Sequence, residues 1–399
     1  MSKAEYKRLG DYIREVNVRN RELKVTNLLG VSISKEFMPS IANTIGTDMS
    51  TYKIVERGQF AYGPVTSRNG DKVSIALLDG YDDAIISQAY TVFEVIDHKQ
   101  LLPEYLMMWF RRPEFDRYAR FHFHGSAREI FDWDELCDVM LPISSITRQR
   151  EIVSEYETLS NRIRLNNQMI LNLEATAQAL YRKTFVDNID KENLPEGWRM
   201  GTLGEVCEKT LGGDWGKDIK VDNYNAEVFC IRGADMPYIS RGMKNSMPTR
   251  FILEKNLKDR ELKFGDIVIE ISGGSPTQST GRSVFITDDL MSYANKSLIC
   301  SNFCRQITAQ TYYKVFVFAS IRYLYDNNVL FRLENSSNGV KNLDLSALLD
   351  DEEMIIPSKE IAKSFSYSYL SLLKRIYLCG QEIELITELQ SLLLAKMGQ

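Results

Sequence analysis

The feature that most constrains this chain is an internal repeat whose period is close to half of its 399 residues. Each half opens with a leucine–glycine–acid step, at residues 9–11 and 203–205, and each reaches a proline, Pro142 or Pro357, just before a long helical pattern. The offset between equivalent residues rises from 194 at the opening glycine to 215 at the proline, as loop insertions in the second half would make it. The repeat predicts two copies of one domain, and the length corresponds to two or three domains at about 150 residues each.

Each half closes with a helical pattern whose apolar residues recur in alternating steps of four and three, the seam of a coiled coil. The predicted seam residues are Ile152, Tyr156, Leu159, Ile163, Ile170, Leu173 and Leu180 in the first helix, and Phe365, Tyr369, Leu372, Ile376, Ile383, Ile386 and Leu393 in the second. Two such seams in one chain can bury each other, whereas two unrelated core helices normally show broader apolar stripes over fewer turns. If a pseudo-twofold axis relates the halves, the two helices run antiparallel.

Three residues interrupt these helical patterns. Asn166 and Gln390 are polar positions within the seams, where a polar side chain commonly fixes register or orientation at some cost in stability. Gly380 lies beside the second seam and costs about 1 kcal/mol relative to alanine, which helix packing must offset.

Between its opening and its closing helix, each half alternates short strand-like runs with one or two helices. The sequence therefore predicts an α+β chain in which two pseudo-symmetric α/β domains are separated by two long helices that form an antiparallel coiled coil. The predicted segments are a first domain at 1–145, a first spacer helix at 146–186, a linker at 187–198, a second domain at 199–357 and a second spacer helix at 358–399.

Catalytic signatures are missing from the sequence. It has no GxxxxGK[ST] loop, no GxGxxG that opens a helix after a strand, and no [DNS]PP[YFW] tetrapeptide. Asp266 and Glu270 resemble part of a nuclease site, but the usual lysine is absent and the surrounding alternation fits an ordinary strand. His122 and His124 have strand-like i, i+2 spacing, yet no cysteine or acidic ligand lies beside them, which favours two ring donors over a metal site. We therefore predict no catalytic residue, metal site or cofactor in this chain.

The composition sets the compartment and limits the kinds of partner. The formal net charge of −5 excludes a uniformly basic nucleic-acid coat but allows a local basic cleft. The six cysteines form no CxxC pair, which predicts reduced thiols. The sequence contains neither a signal-peptide-like start nor an apolar run long enough for a membrane span. We expect a cytoplasmic protein with no membrane partner.

Arginine-rich and loop-like segments are the candidates for nucleic-acid contact. Residues 109–128 interleave arginines with aromatic residues, and the segments 64–72 and 273–282 occupy matching places after matching strands. Arginine, asparagine and glutamine can read base edges, but a solvated helix face and ordinary exposed turns explain the same patterns. The predicted DNA-binding residues are Arg68, Asn69, Lys72, Arg120, His122 and Arg128 in the first half, and Arg232, Thr277, Gln278, Arg282, Lys296 and Lys341 in the second.

Several short motifs add a family resemblance that covers essentially the whole chain. TRQREIV (147–153) follows MLPI (140–143), ALYRKTF (179–185) ends the first helix, and LPEGW (194–198) precedes the second opening. With the duplicated order, these motifs resemble the specificity subunit of type I restriction–modification systems. The resemblance implies two target-recognition domains, each of which reads one half of a bipartite double-stranded DNA target, and two spacer helices whose length sets the gap between the half-sites.

The resemblance also implies partners and a division of labour in host defence and DNA modification. Two methyltransferase subunits would supply S-adenosylmethionine chemistry, and two restriction/translocase subunits, in a system that also cleaves, would supply the chemistry that uses ATP and Mg²⁺. The specificity subunit itself would be non-catalytic. One departure concerns Gln149, which lies in the first proximal stretch: residues 358–365 contain no matching glutamine, which predicts a different partner contact there.

Two other classes of protein stay open. One is an enzyme in its own right, such as a fused modification nuclease, although the missing signatures argue against it. The other is a coiled-coil scaffold that binds only proteins and reads no DNA sequence.

Overall fold

The computed structural model describes residues 5–40, 46–65, 70, 72–123, 130–187, 189–243, 247–273, 275, 277–337 and 340–397. The chain forms two compact units. Unit 1 comprises residues 1–162 and 386–399, and unit 2 comprises residues 163–385. Within the described ranges, no helix is both long and apolar enough to cross a membrane.

The described residues of unit 1 form short strands, three short α-helices and parts of two long ones. The strands are β1 (Tyr6–Arg8), β2 (Ile13–Val16), β3 (Leu29–Val31), β4 (Phe37–Pro39), β5 (Lys53–Glu56), β6 (Phe60–Gly63), β7 (Ser74–Leu77), β8 (Asp83–Ile86), β9 (Thr91–Val95) and β10 (Met140–Pro142). The short helices are α1 (Pro103–Phe110), α2 (Pro113–Phe121) and α3 (Trp133–Cys137), and α4 (Ile146–Phe185) begins in this unit and continues into unit 2.

Unit 2 repeats this arrangement with insertions. Its strands are β11 (Arg199–Gly201), β12 (Cys207–Gly212), β13 (Tyr224–Ile231), β14 (Thr249–Leu253), β15 (Ile267–Glu270), β16 (Ser272–Gly273), β17 (Ser283–Phe285), β18 (Leu298–Cys300), β19 (Cys304–Ala309), β20 (Glu334–Ser337), β21 (Val340–Leu343) and β22 (Met354–Ile356). Its helices are α5 (Met236–Ile239), α6 (Glu254–Arg260), α7 (Asp288–Ala294), α8 (Lys314–Asp326) and most of α9 (Lys359–Lys396), whose last turns belong to unit 1.

The two units share one sheet topology. Unit 1 has a four-stranded sheet in the order β2-β9-β6-β7, and unit 2 has the corresponding order β12-β19-β15-β17. A two-stranded antiparallel pair joins the opening of each unit to the strand before its long helix, β1 to β10 and β11 to β22. The Tyr105 hydroxyl donates to the Pro142 carbonyl at 3.1 Å, and the Tyr313 hydroxyl donates to the Pro357 carbonyl at 3.1 Å. The predicted pseudo-symmetric α+β fold is confirmed.

Each unit has its own core. In unit 1, Phe60 and Phe93 stack with ring centroids 4.8 Å apart between the sheet and α1. In unit 2, the apolar face of α8, including the fully buried Phe316, packs between the sheet and the long helices. Burial of this apolar area from water is the main force that holds each unit together.

The predicted seams lie on the inner faces of the two long helices. All fourteen seam residues are buried or half-buried. In unit 1, the Gln390 amide donates to the Ser160 hydroxyl at 2.7 Å, and in unit 2, Phe185 contacts Phe365 with ring centroids 4.8 Å apart. Residues late in one helix therefore meet residues early in the other, so the helices are antiparallel, as predicted. The seams also pack against the globular cores, because Ile152 and Tyr156 belong to the core of unit 1.

The polar seam residues differ in their surroundings. Gln390 has the Ser160 hydroxyl as a partner, whereas the side-chain nitrogen of Asn166 is buried without a hydrogen-bond partner in the described part of the chain. Gln390 can thus define an alignment of the two helices, while Asn166 carries a desolvation cost.

The two long helices begin at Ile146 and Lys359 and end at Phe185 and Lys396. The predicted linker, as far as it is described (187 and 189–198), contains neither helix nor strand. The compact units divide within the helices, not at their ends, so each long helix contributes to both units.

Candidate nucleic-acid interface

In unit 1, the two segments predicted to contact DNA start from neighbouring backbone. Val65 forms an isolated antiparallel bridge with Ile130, and the Phe131 amide donates to the Pro64 carbonyl at 3.0 Å. The backbone at Val65 therefore lies beside the backbone at Ile130. Arg68, Asn69 and Arg128, which were predicted to contact DNA, lie outside the described residues, as does His124 of the His122/His124 pair.

Helix α2 leads into the second of these segments. Phe115 of α2 is buried in the core, whereas Phe121 in the last turn is 85% exposed. Only some of the aromatic residues of α2 therefore pack against the core. Arg120 is exposed in the same turn. His122 is half-buried: its Nδ1 donates to the Tyr118 carbonyl at 2.8 Å, and its ring lies 4.1 Å from the Tyr118 ring. These contacts favour the interpretation of His122 as a packed ring donor.

A buried ion pair, which the sequence analysis missed, holds α2 against the sheet. The Lys35 ammonium is 2.8 Å from the Asp116 carboxylate and also donates to the Phe110 carbonyl. Asp116 accepts a further hydrogen bond from the Val73 amide at 3.1 Å, next to the exposed Lys72. Burial lowers the pKa of Lys35, and the contact with Asp116 opposes that shift. These contacts fix the position of Lys72 relative to α2. The sequence gives no signal for the ion pair, because Lys35 is a single lysine in a turn.

In unit 2, Arg282 is held by an internal ion pair. Its guanidinium makes two hydrogen bonds to the buried Glu270 carboxylate, at 2.8 and 2.6 Å. These hydrogen bonds raise the pKa of Arg282 above its ordinary value. A Cβ atom at Gly233 would lie 2.0 Å from a Glu270 oxygen, so the backbone after Arg232 approaches this pair closely. Arg232 itself makes two side-chain hydrogen bonds to the buried Asp235, at 2.9 and 2.8 Å.

Thr277 and Gln278 are exposed in the segment that Arg282 closes. The Gln278 amide donates to the Tyr325 hydroxyl at 3.2 Å. At the end of the segment, the Thr280 amide donates to Glu334 at 2.6 Å, and Glu334 pairs with Lys341 at 2.9 Å. The pairing of β16 with β21 also brings Gly273 opposite Lys341. The structure therefore brings the predicted residues of this segment together with Lys341.

Lys296 belongs to a different part of unit 2. It pairs with Glu227 and lies 5.0 Å from the centre of the Phe229 ring. All four cations predicted to bind DNA in this unit thus have a carboxylate partner, which lowers the net positive charge that they can offer to phosphate.

Two aromatic residues beside the candidate segments, the exposed Phe303 and the half-buried Tyr325, were not singled out from the sequence. Phe303 is 58% exposed, and its carbonyl accepts hydrogen bonds from the amides of Ile271 and Ser272 just before the 273–282 segment. The Tyr325 hydroxyl accepts a hydrogen bond from the Gln278 amide. Only the tertiary contacts identify these residues, because aromatic residues at such positions are usually core residues in a sequence pattern.

The two acidic residues singled out from the sequence, Asp266 and Glu270, make internal hydrogen bonds. Asp266 accepts from the Gln306 amide at 2.8 Å and the Thr308 hydroxyl at 2.6 Å, and Glu270 binds Arg282. The six cysteines, all within the described ranges, are free thiols, and burial raises the pKa of Cys304 to about 11. Among the described residues, no group of three or more histidine, cysteine or acidic side chains could hold a metal ion.

Comparison with solved structures defines the fold. The crystal structure of a type I restriction–modification S subunit from M. genitalium matches with a TM-score of 0.61 at 12% identity and covers 100% of this chain and 97% of that chain. A chain from a study of assembly and conformational transition of the type I R-M system matches at 15% identity over 100% and 98% of the two chains, with a TM-score of 0.48. The HsdS subunit from Thermoanaerobacter tengcongensis matches at 16% identity over 99% and 96%, with a TM-score of 0.36.

The chain has the fold of a type I restriction–modification S subunit. The family resemblance identified from the sequence motifs is confirmed at the level of the fold. No protein-family model and no curated protein sequence matches the chain.

Proposed function

We propose that this chain is the specificity subunit of a type I restriction–modification complex and that each unit reads one half of a bipartite DNA target. The observation that carries the proposal is the duplicated sheet, in which both units have the same strand order and the same closing strand pair. Two equivalent domains joined by one pair of helices suit a target made of two half-sites. The fold shared with an S subunit over the full length supports the same function.

The proposed readers are the exposed polar residues of the candidate segments. In unit 2, Thr277 and Gln278 are exposed donors and acceptors, and Tyr325 and Phe303 flank them. Arg282 and Lys341 act by holding this segment through Glu270 and Glu334, while Lys296 contributes to phosphate attraction from another part of the unit. In unit 1, Lys72 and Arg120 are exposed cationic side chains among the residues that the structure describes, and both suit contact with DNA phosphates.

Exposed leucines on α9 support docking of partner subunits. In unit 1, Leu389 and Leu392 are 52% and 60% exposed and line an apolar groove with Thr158 and Leu159. In unit 2, Leu378 and Leu385 are 52% and 62% exposed on the same helix. One such surface in each unit suits two copies of a methyltransferase subunit, with restriction/translocase subunits in systems that also cleave.

Catalysis and cofactors belong to the partners in this proposal. The methyltransferase subunits would use S-adenosylmethionine, the restriction subunits would use ATP and Mg²⁺, and this chain would contribute neither catalytic residues nor a cofactor. The complex would act on DNA in the cytoplasm.

The test is a methylation map of cells that express this chain with the methyltransferase subunit encoded beside it. We expect a bipartite motif, and we expect Gln278→Ala to relax the base preference in one half-site only. Lys72→Ala should weaken binding of all sequences and reduce its salt dependence, because a phosphate contact releases counterions. A complex that retains no DNA, or a map without a bipartite motif, would instead favour the protein-only scaffold.

A further inference from the structure

Gly380 lies within α9, and coiled-coil packing alone does not explain a glycine at this position. A Cβ atom at Gly380 would lie 1.6 Å from the carbonyl oxygen of Arg241, in the turn that follows α5. The next residue of that turn, Gly242, has φ +81°, and a Cβ atom there would lie 2.3 Å from the Tyr377 carbonyl oxygen. The turn and the helix therefore touch backbone to backbone, at a distance that only glycine allows on both sides.

The same turn also reaches the other long helix. The Arg241 guanidinium makes two hydrogen bonds of 3.0 Å to the two carboxylate oxygens of Glu174 on α4. The Arg241 side chain is 33% exposed and the Glu174 side chain is 26% exposed, so both are mostly buried. A single turn of the globular part of unit 2 thus contacts α9 through its backbone and α4 through a bidentate ion pair, which is a geometrically specific contact.

Apolar packing beside this turn is incomplete. A cavity of about 50 Å³ lies between the long helices and the globular part of unit 2, and its lining includes Ile239, Ser240, Phe318, Tyr369 and Tyr377. The Tyr377 hydroxyl is buried and has no hydrogen-bond partner among the described residues. A junction with empty space does not define one orientation by close packing alone, so polar and backbone contacts at its edge must contribute.

We propose that the turn at residues 240–242 is a positioning clamp that holds the globular part of unit 2 at one place on the helix pair. Given the proposed function, this clamp keeps the gap that the helix pair sets at a single value and leaves the bases read in each half-site unchanged. Arg241, Glu174 and Gly380 are positioning residues, since none of them lies in the segments proposed to read DNA.

The experiment maps methylation in cells that express the chain with its methyltransferase subunit. In the Arg241→Gln and Glu174→Gln variants, methylated sites whose gap differs from the wild-type gap by one base pair should become roughly tenfold more frequent. Loss of one charge-assisted bidentate pair shifts an equilibrium between two positions of the domain by about this factor. The half-site bases should stay the same. The double variant Arg241→Glu with Glu174→Arg should restore the single gap. Glu352→Gln, which removes the ion pair between the half-buried Glu352 and the exposed Arg332, is the matched control and should leave the gap unchanged.

A second measurement tests the clamp without DNA. In the purified full-length chain, amide hydrogen exchange at residues 236–243 should become faster in Arg241→Gln and Gly380→Ala and stay unchanged in Glu352→Gln. An unaltered single gap together with unaltered exchange in Arg241→Gln would overturn the clamp. A wild-type map without a bipartite motif would overturn the proposed function alone, because the exchange measurement still tests the contact.

Discussion

Gly58 and Gly265 form the same turn in the two units. Both have φ +87°, and their amides donate to the Leu78 and Ile286 carbonyls at 2.9 and 2.8 Å. The backbone amides of the next residues, Gln59 and Asp266, each donate at 3.0 Å to the carbonyl oxygen of the residue three positions earlier. The repeat therefore extends from sheet order down to the backbone geometry of a single turn.

Alanine at either glycine should destabilise its unit. A positive φ costs a residue with a Cβ atom about 1 kcal/mol, so Gly58→Ala should lower the free energy of unfolding by roughly that amount. Gly265→Ala should cost more, because its Cβ would displace the Lys314 side chain 2.3 Å away, whose ammonium donates to the Phe264 carbonyl at 3.0 Å, whereas Gly58 has open space. Chemical denaturation of both variants measures the difference; equal costs would contradict the Lys314 contact.

Gln149 should be essential to stability of unit 1. Its fully buried side chain accepts from the Leu102 amide and donates to the Gln100 and Ser144 carbonyls, at 2.9, 2.8 and 2.9 Å. Gln149→Ala leaves these groups unpaired and should cost about 3 kcal/mol in unfolding free energy. The exposed neighbour Arg150 is the control, since Arg150→Ala should change stability by less than about 0.5 kcal/mol.

Glu334 should make the stability of unit 2 depend on pH. Burial raises its pKa, but hydrogen bonds from Thr280 and the contact with Lys341 outweigh burial and hold the pKa below its usual range. Its stabilising contribution is therefore present above the unfolded-state pKa of about 4.3 and is lost as pH falls through the folded-state value.

Glu334→Gln should accordingly destabilise unit 2 at pH 7, by about 1–3 kcal/mol for loss of charged hydrogen bonds, and the difference from wild type should shrink near pH 3. Urea denaturation at both pH values provides the measurement. A difference that is independent of pH would show that the carboxylate charge contributes nothing.

Given the proposed function, the length of the helix pair should determine the gap between the two half-sites. Insertion of one heptad after Arg162 and one after Leu385, where the units divide, keeps both seams in phase. Each insertion adds about 10 Å at ~1.5 Å per residue, which equals about three base pairs at ~3.4 Å each. A methylation map should show a longer gap between unchanged half-sites. The same seven residues inserted after Lys191, in the linker, should leave the gap unaltered; a longer gap there would argue against the helices as the spacer.

The absence of a glutamine that matches Gln149 in the second half has a structural explanation. The position 213 residues later is Ala362, which is fully buried in the apolar core of unit 2. Gln149 binds the chain around residues 100–102 from within unit 1, so this difference reflects packing inside each unit. The sequence prediction that the second proximal region meets a partner differently stays a prediction.

The duplication, the two long helices and their seams can be predicted from the amino-acid sequence, because hydrophobic periodicity and turn glycines are local signals. The fold class follows from such signals, and Gly58 and Gly265 have the same backbone geometry for the same local reason. Tertiary structure alone decided which candidate residues remain available at the surface. Lys296 and Glu227 lie 69 residues apart, and Arg241 and Glu174 lie 67 apart, so their pairing depends on how distant elements pack. Ion pairs and close backbone contacts of this kind arise from three-dimensional placement, for which no spacing along the chain provides a signal.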